Sequence, residues 1–364
     1  MASLLKRKVT PEMTAARPRM IYELTKRLLN KGHEVTLLAT ADSCIPGATI
    51  VPIIAKGFVD LPLTENPFYT ETGYLVQLAQ KIEEMHTKFD IVHNHTYPEF
   101  INLLVANKIN TPIITTVHAQ GTEEFDRTLK GFDYTYLISI SKAHRSLFGT
   151  ANFYRTIYNG IDTSLYKFES NKDDYLLWLG RLSKAKNPDG SFMDPKGIKW
   201  AIQLARETNQ TLILSGNVED MDFYNQEVKP FLNERIKWHG PISPEQVLSK
   251  DEVVGLMQKA KAFLMTINWF EPFGLVMAEA MSCGTPVIGF NRGSVSELVK
   301  DGLTGFVVNP TEGIEGLKKV LNKINQIKSE DCRNHVVNNF SVETMVDNYE
   351  KAYRDIISEK KNNE

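Results

Sequence analysis

Apolar and polar positions along this chain fall into blocks whose period switches in a regular order. Short apolar runs rich in β-branched residues read as buried strands. They are "EVTLLAT", "DIVHNH", "PIITTVH" and "TYLISIS" in the first half, then "DYLLWLGRLS", "TLILSGN", "IKWHGPIS", "KAFLMTI", "PVIGF" and "GFVV" in the second. Segments of helical period lie between them. "RPRMIYELTKRLLNKG" puts Met20, Ile21, Leu24, Leu28 and Leu29 on one face and stops at Gly32. Helices are also expected in "YLVQLAQKIEEMHTKF", "PEFINLLVANKI", "KGIKWAIQLARETN" and "PEQVLSKDEVVGLMQKA", and two amphipathic helices, "GIEGLKKVLNKINQIK" and "SVETMVDNYEKAYRDII", finish the chain. A first strand is expected to end in "LLKRK".

Strands separated by helices argue for parallel sheets with right-handed crossovers, so the fold class is α/β. The pattern restarts after the polar segment "NGIDTSLYKFESNKDD", and 364 residues exceed one ordinary core. Two Rossmann-like, doubly wound domains are therefore expected, over residues 1–163 and 164–340, with 341–364 as a last helix. Ligands of such sheets bind at the carboxyl ends of the strands, and in a tandem pair those ends can face each other across a cleft.

Composition narrows the function classes. With 42% hydrophobic and 24% charged residues the chain is that of a soluble globular protein, and a net charge of −2 gives no global pull toward nucleic acid or membrane. No run of 18 apolar residues and no signal peptide is evident, so a cytoplasmic location is expected. Cys44, Cys283 and Cys332 are odd in number and far apart, which fits a reducing compartment and no CxxC metal site. Locally the charge is uneven. The first 33 residues carry eight basic side chains against Glu12 and Glu23. They read either as a solvated helix face or as a basic rim toward an anionic substrate or a membrane surface, which leaves peripheral membrane contact open.

The stretch with most chemistry is "WFEPFGLVMAEAMSCGTPVI", Trp269 to Ile288. Glu271 and Glu279 stand eight positions apart across a Pro-Phe-Gly hinge, as a catalytic pair, two ends of a ligand clamp, or mere surface charge. On one helix they would be roughly 80° apart and about 12 Å along the axis, so they cannot share a face. Pro272 disfavours helix at Glu271, and Gly274 frees the following turn. The economical reading is a strand, a loop with Glu271, and a helix from about Leu275 to Ser282. A phosphate at Gly274, Leu275 and Val276 would meet free N–H groups and the positive end of that helix. Glu279 would then be able to accept from a ribose diol.

This stretch resembles the E-x7-E motif of retaining GT-B glycosyltransferases of the family-four group. The resemblance continues through "GSVSELVKDGLTGFVV", "YNGID", "LGRLS", "DIVHNH" and "TTVH", and so covers nearly the whole chain. It implies a GT-B fold and a metal-independent transfer of a hexose from a UDP- or GDP-sugar to an unidentified hydroxyl acceptor, with no bound cofactor. It implies that Glu271 contacts the donor sugar and that Phe273, Gly274, Leu275 and Val276 lie against its phosphates. Glu279 would bind the ribose. Arg181 and a following lysine would neutralise the diphosphate; Lys196, before Gly197, fits better than Lys186, before Asn187, across the insertion "NPDGSFMD". His118, at the end of "PIITTVH", would reach the sugar from the first domain and join Glu271 as a catalytic residue. His95 would line the acceptor side. Family members have a Gly-Gly pair after the first strand, where "TPEMTAARPRM" supplies Ala15-Ala16 with Arg17 and Arg19 beside them. Those arginines are candidates for an anionic acceptor or for a plain helix face. The rival readings are a non-catalytic nucleotide-sugar binder, a glycoside hydrolase using both glutamates, and a sugar-nucleotide epimerase.

Overall fold

The structure, a computed structural model, describes residues 1–13, 15–62, 64–244 and 246–363. Thr14, in the arginine-bearing first loop, and Glu245, in the segment expected to be helical before Lys250, fall outside the described residues. The chain divides into two compact units, one of Met1–Gly160 together with the segment from Val342 onward, the other Ile161–Ser341.

In the first unit the strands are β1 (Thr36–Thr40), β2 (Thr49–Ile54), β3 (Val92–Asn94), β4 (Ile113–Val117), β5 (Tyr136–Ser139) and β6 (Phe153–Thr156). All named neighbours pair in parallel, β1 with β2 and β3 through β6 in sequence order. Ala2 joins the two groups, bridging Leu38 of β1 and Asn94 of β3. The first strand is thus reduced to the start of the chain, with Ala2 N–H donating to the His93 carbonyl at 2.8 Å and His95 N–H to the Ala2 carbonyl at 2.8 Å. This corrects the expectation that pairing runs into "LLKRK". Ala2 and Ser3 are fully buried, whereas Lys6 and Arg7 are exposed and cannot lie inside a sheet covered on both faces. The segment "PEFINLLVANKI" also differs, giving one 3-10 turn at Asn102–Val105 rather than a long helix. There the buried Asn102 amide donates to Asn94 Oδ1 at 3.0 Å and Thr96 Oγ1 at 2.6 Å, and these side-chain bonds fasten the segment locally.

The second unit contains β7 (Tyr175–Leu182), β8 (Thr211–Val218), β9 (Ile236–Trp238), β10 (Ala262–Met265), β11 (Val287–Phe290) and β12 (Gly305–Val308). Their order is β12-β11-β10-β7-β8-β9, parallel throughout. Numbered within the unit this is 6-5-4-1-2-3, the order of dinucleotide-binding sheets, with its switch point between β7 and β10. Trp178, Leu214, Leu264 and Phe290 fill the core beneath the helix Ile198–Thr208.

The closing helix, Val342–Asn363, belongs to the first unit and packs on the helix Ala16–Asn30. Lys31 pairs with Asp347 at 2.8 Å and Glu350 at 2.9 Å, and Arg27 with Glu23 at 2.7 Å and Glu343 at 3.5 Å. Part of the basic opening segment is therefore consumed by ion pairs inside the unit. Among the described residues no helix is long and apolar enough to cross a membrane. Hydrogen bonds from Lys31 and then His33 hold the Glu350 carboxyl down to about 2. A folded value below the ordinary 4.5 makes this contact stabilising above pH 4.5 and progressively lost as pH falls toward 2. Glu350→Gln is expected to lower the melting temperature at neutral pH and to flatten the loss of stability across that acid window, which calorimetric melts will measure.

Candidate functional site

The switch point of the second sheet brings the end of β7, with Arg181, beside the loop that leaves β10, with Glu271. Glu271 is buried, at 9% exposure, so its carboxylate has to be met by donors from the protein or from a ligand. Lys196 Nζ stands 3.0 Å from Glu271 Oε2, and Trp269 Nε1–H donates to the same oxygen at 3.1 Å. The Lys196 ammonium also lies 4.2 Å from the centre of the Trp269 ring, a cation–π contact worth about 0.5–2 kcal/mol.

The loop beneath these groups is fixed by its backbone. Ser294 N–H donates to the Glu271 carbonyl at 2.9 Å, and Ser294 Oγ–H to the Phe273 carbonyl at 2.7 Å. Gly293 packs so closely there that an added Cβ would lie 2.2 Å from the Glu271 carbonyl oxygen. Gly274, at φ +80°, turns the chain into the helix Leu275–Ser282, whose N-terminus has no side-chain cap. Leu275 and Val276 are half-buried in its first turn. Further along, Glu279 is also buried, at 8% exposure, and accepts from Tyr166 Oη–H at 2.8 Å. Neither glutamate is plain surface charge.

The backbone that presents Lys196 is fixed by its neighbours. Trp178 Nε1–H donates to the Lys196 carbonyl at 3.0 Å, and Asn268, on the same loop as Glu271, donates to the Pro195 carbonyl at 2.9 Å and the Asp194 carbonyl at 2.8 Å. The Asp194 carboxylate accepts from Ile198 N–H at 3.1 Å and Lys199 N–H at 2.9 Å, closing the turn into the next helix. Lys186 instead lies 4.7 Å from the Phe192 ring in the small hairpin formed by the insertion. Arg181 is largely exposed, its nearest acid being Glu219 at 3.5 Å.

In the first unit a second cluster sits at the carboxyl ends of β3 and β4. Glu99, almost fully buried, accepts at Oε1 from Arg17 at 3.0 Å and from the backbone N–H groups of His118 and Ala119, each at 3.1 Å. Arg17 also donates to the Thr96 carbonyl at 3.0 Å, so its charge is spent inside the unit. Arg19 is half-buried on the same helix. His95 Nδ1 and His118 Nε2 are 3.0 Å apart. The His93 ring lies tilted against that of His95, with centroids 3.9 Å apart, and uses both its nitrogens, toward Tyr353 Oη at 2.6 Å and Thr116 Oγ1 at 2.8 Å. Burial pushes His95 down to about 3, and burial followed by the positive field of Arg17 holds His118 well below its ordinary 6.5. Among the described residues no group of three or more His, Cys, Asp or Glu is arranged to hold a metal ion.

Three residues in these clusters escape sequence reasoning: Glu99, Tyr166 and Trp269. Glu99 and Tyr166 act through contacts distant in sequence, and nothing in the local pattern marks them. Trp269 stands two positions before Glu271, where its aromatic character reads as core packing. Two outcomes follow from this geometry. Gly293→Ala drives a methyl into the Glu271 backbone and is expected to cost on the order of 3 kcal/mol, measured by chemical denaturation. Nitrogen-15 spectra of the imidazoles are expected to show His118 and His95 neutral at pH 6.5 and above, without a protonation step there.

Comparison with known proteins identifies the fold and the chemistry in general terms. The family described as "Glycosyl transferases group 1" matches residues 164–339, and "Glycosyltransferase Family 4" matches residues 18–165. N-acetyl-alpha-D-glucosaminyl L-malate synthase of Bacillus anthracis is 25% identical, covering 93% of this chain and 94% of its own. UDP-Gal:alpha-D-GlcNAc-diphosphoundecaprenol alpha-1,3-galactosyltransferase of Escherichia coli is 24% identical over 75% of this chain and 77% of its own. Two solved structures share the fold: sucrose-phosphate synthase from Thermosynechococcus elongatus, with TM-score 0.75, 18% identity and 98% of both chains covered, and HepE from Anabaena in complex with UDP, with TM-score 0.71, 19% identity and 97% and 99% covered. The two family matches meet at residues 164–165, a few residues past the boundary between the two units, and together run from residue 18 to residue 339, on sheets with doubly wound strand order. The chain therefore belongs to the family-four, GT-B type of glycosyltransferases, and it is an enzyme of glycosyl transfer.

Proposed function

We propose that this enzyme moves a hexose from a nucleotide-diphosphate sugar, UDP- or GDP-linked, to a hydroxyl acceptor, with retention at the anomeric carbon and without a metal ion. The observation that carries the reading is the Lys196–Glu271 couple, at 3.0 Å, beside the uncapped start of the helix Leu275–Ser282. A helix N-terminus and a neighbouring ammonium suit a diphosphate, because backbone N–H groups and positive charge both point at it. The acceptor oxygen bonds to the anomeric carbon on the face from which the diphosphate departs. The carbon–oxygen bond to phosphate breaks, and the departing phosphate oxygen takes the acceptor's proton. Lys196, Arg181 and the N–H groups of Leu275 and Val276 stabilise the leaving charge. Glu271 accepts from a sugar hydroxyl and Glu279 from the ribose, with Tyr166 holding the latter in place. His118, in the first unit, is kept uncharged by its burial.

The names of two relatives support the donor and acceptor classes. One is a UDP-Gal-dependent transferase, and the other joins a glucosaminyl group to L-malate, a hydroxy acid. Melting-point screening against UDP- and GDP-sugars is expected to reveal the donor, since a ligand that binds only the folded state raises its melting temperature. Lys196→Ala is expected to lower kcat by about 10²- to 10³-fold, as loss of an oxyanion-type donor does. Glu279→Ala is expected to weaken nucleotide binding, and Glu271→Ala mainly turnover. Equal loss of affinity in both variants contradicts the division of roles.

A further inference from the structure

Trp269 makes two contacts with the charged couple, and the two differ in kind. Its ring face lies against the Lys196 ammonium at 4.2 Å, while its N–H donates to Glu271 Oε2 at 3.1 Å. Both donors to the carboxylate thus meet on Oε2, and among the described residues none bonds to Oε1. The backbone around these groups is tied down at Pro195, Asn268 and Ser294. The ammonium sits at the end of a four-carbon stem, and the Lys196 side chain is 27% exposed against 11% for Glu271. The lysine can therefore swing toward an incoming anion while the carboxylate stays where it is.

From this we infer that Trp269 is the positioning residue of the site, the fixed donor across which Lys196 is exchanged. The inference rests on the donor reading proposed above. When a diphosphate enters, Lys196 leaves Oε2 for a phosphate oxygen. The buried carboxylate then loses its cation, and the indole N–H keeps Oε2 in place. Oε1, which has no donor among the described residues, is left for a sugar hydroxyl, which replaces the lost donor. Phosphate binding and exposure of the sugar-binding carboxylate are coupled in this way through one lysine.

The test uses the full chain with UDP and GDP as probes of binding, and UDP-glucose and GDP-mannose as probes of turnover, read as release of nucleoside diphosphate. Trp269→Phe keeps a ring against Lys196 and deletes the N–H. It is expected to bind the nucleoside diphosphate within about threefold of wild type by calorimetry, while kcat falls about tenfold or more with little change in KM, the scale of one hydrogen bond to a charged group. Departure of the ammonium from the indole is expected to change tryptophan emission when diphosphate is added to wild type, and Trp269→Phe is expected to lose that change. Lys196→Met, which leaves the indole in place, is expected to lose it as well, and this arm decides the matter if Trp269→Phe folds poorly. An emission change kept at full size in either variant overturns the inference, as does a Trp269→Phe enzyme with wild-type kcat or with binding and kcat reduced alike. Failure of wild type to bind UDP or GDP is a different result: it removes the donor reading itself, and the exchange with it.

Discussion

A carboxylate withdrawn from water has to be compensated, and at Glu271 the compensation comes from a lysine brought in from another helix start. That contact ties together, in the second unit, the segments that follow two neighbouring strands. It requires Lys196 to be presented by the turn that follows β7 and Glu271 by the loop that follows β10, and these two strands are neighbours at the switch point of the sheet. The same pair sets one positive and one negative group side by side at the switch point, and the proposed binding of a nucleotide sugar rests on that arrangement.

The first unit meets a similar demand with different groups. Glu99 is a buried acid there, and Arg17 together with two backbone N–H groups compensates it. The result is a fixed chain path after β4 and a row of histidines kept neutral by burial. One of them, His93, is bonded to Tyr353 of the closing helix, so this helix helps to shape the polar end of β3 as well as to cover the sheet. Arg17, in the first turn of the helix Ala16–Asn30, acts there as an internal strut between Glu99 and the Thr96 carbonyl.

Much of this was legible in the residues. The alternation of strand and helix periods gave two parallel sheets, and Pro272 with Gly274 gave the helix Leu275–Ser282 at its observed bounds. The preference for Lys196 over Lys186 rested on the glycine that follows it, and the geometry places Lys196 beside Glu271. Other features were hidden because their causes lie far away in sequence. The first strand is one bridging residue, Ala2, defined by its neighbours Leu38 and Asn94 rather than by any pattern of its own. The strand Thr49–Ile54 has no clear pattern of its own because Pro52 interrupts its run, which an edge position tolerates. Asn102 replaced a helix with side-chain bonds that periodicity does not register. Neither reading of Arg17, as an acceptor group or as part of a plain helix face, points to its pairing with Glu99, which is 82 positions away.

A crystal structure of the enzyme with UDP or GDP tests the central claim most directly. The account predicts the terminal phosphate within hydrogen-bonding distance of the N–H groups of Leu275 and Val276, with Lys196 Nζ moved onto it and Glu271 still held by Trp269. A diphosphate seated elsewhere, with Lys196 unmoved on Glu271, would contradict it.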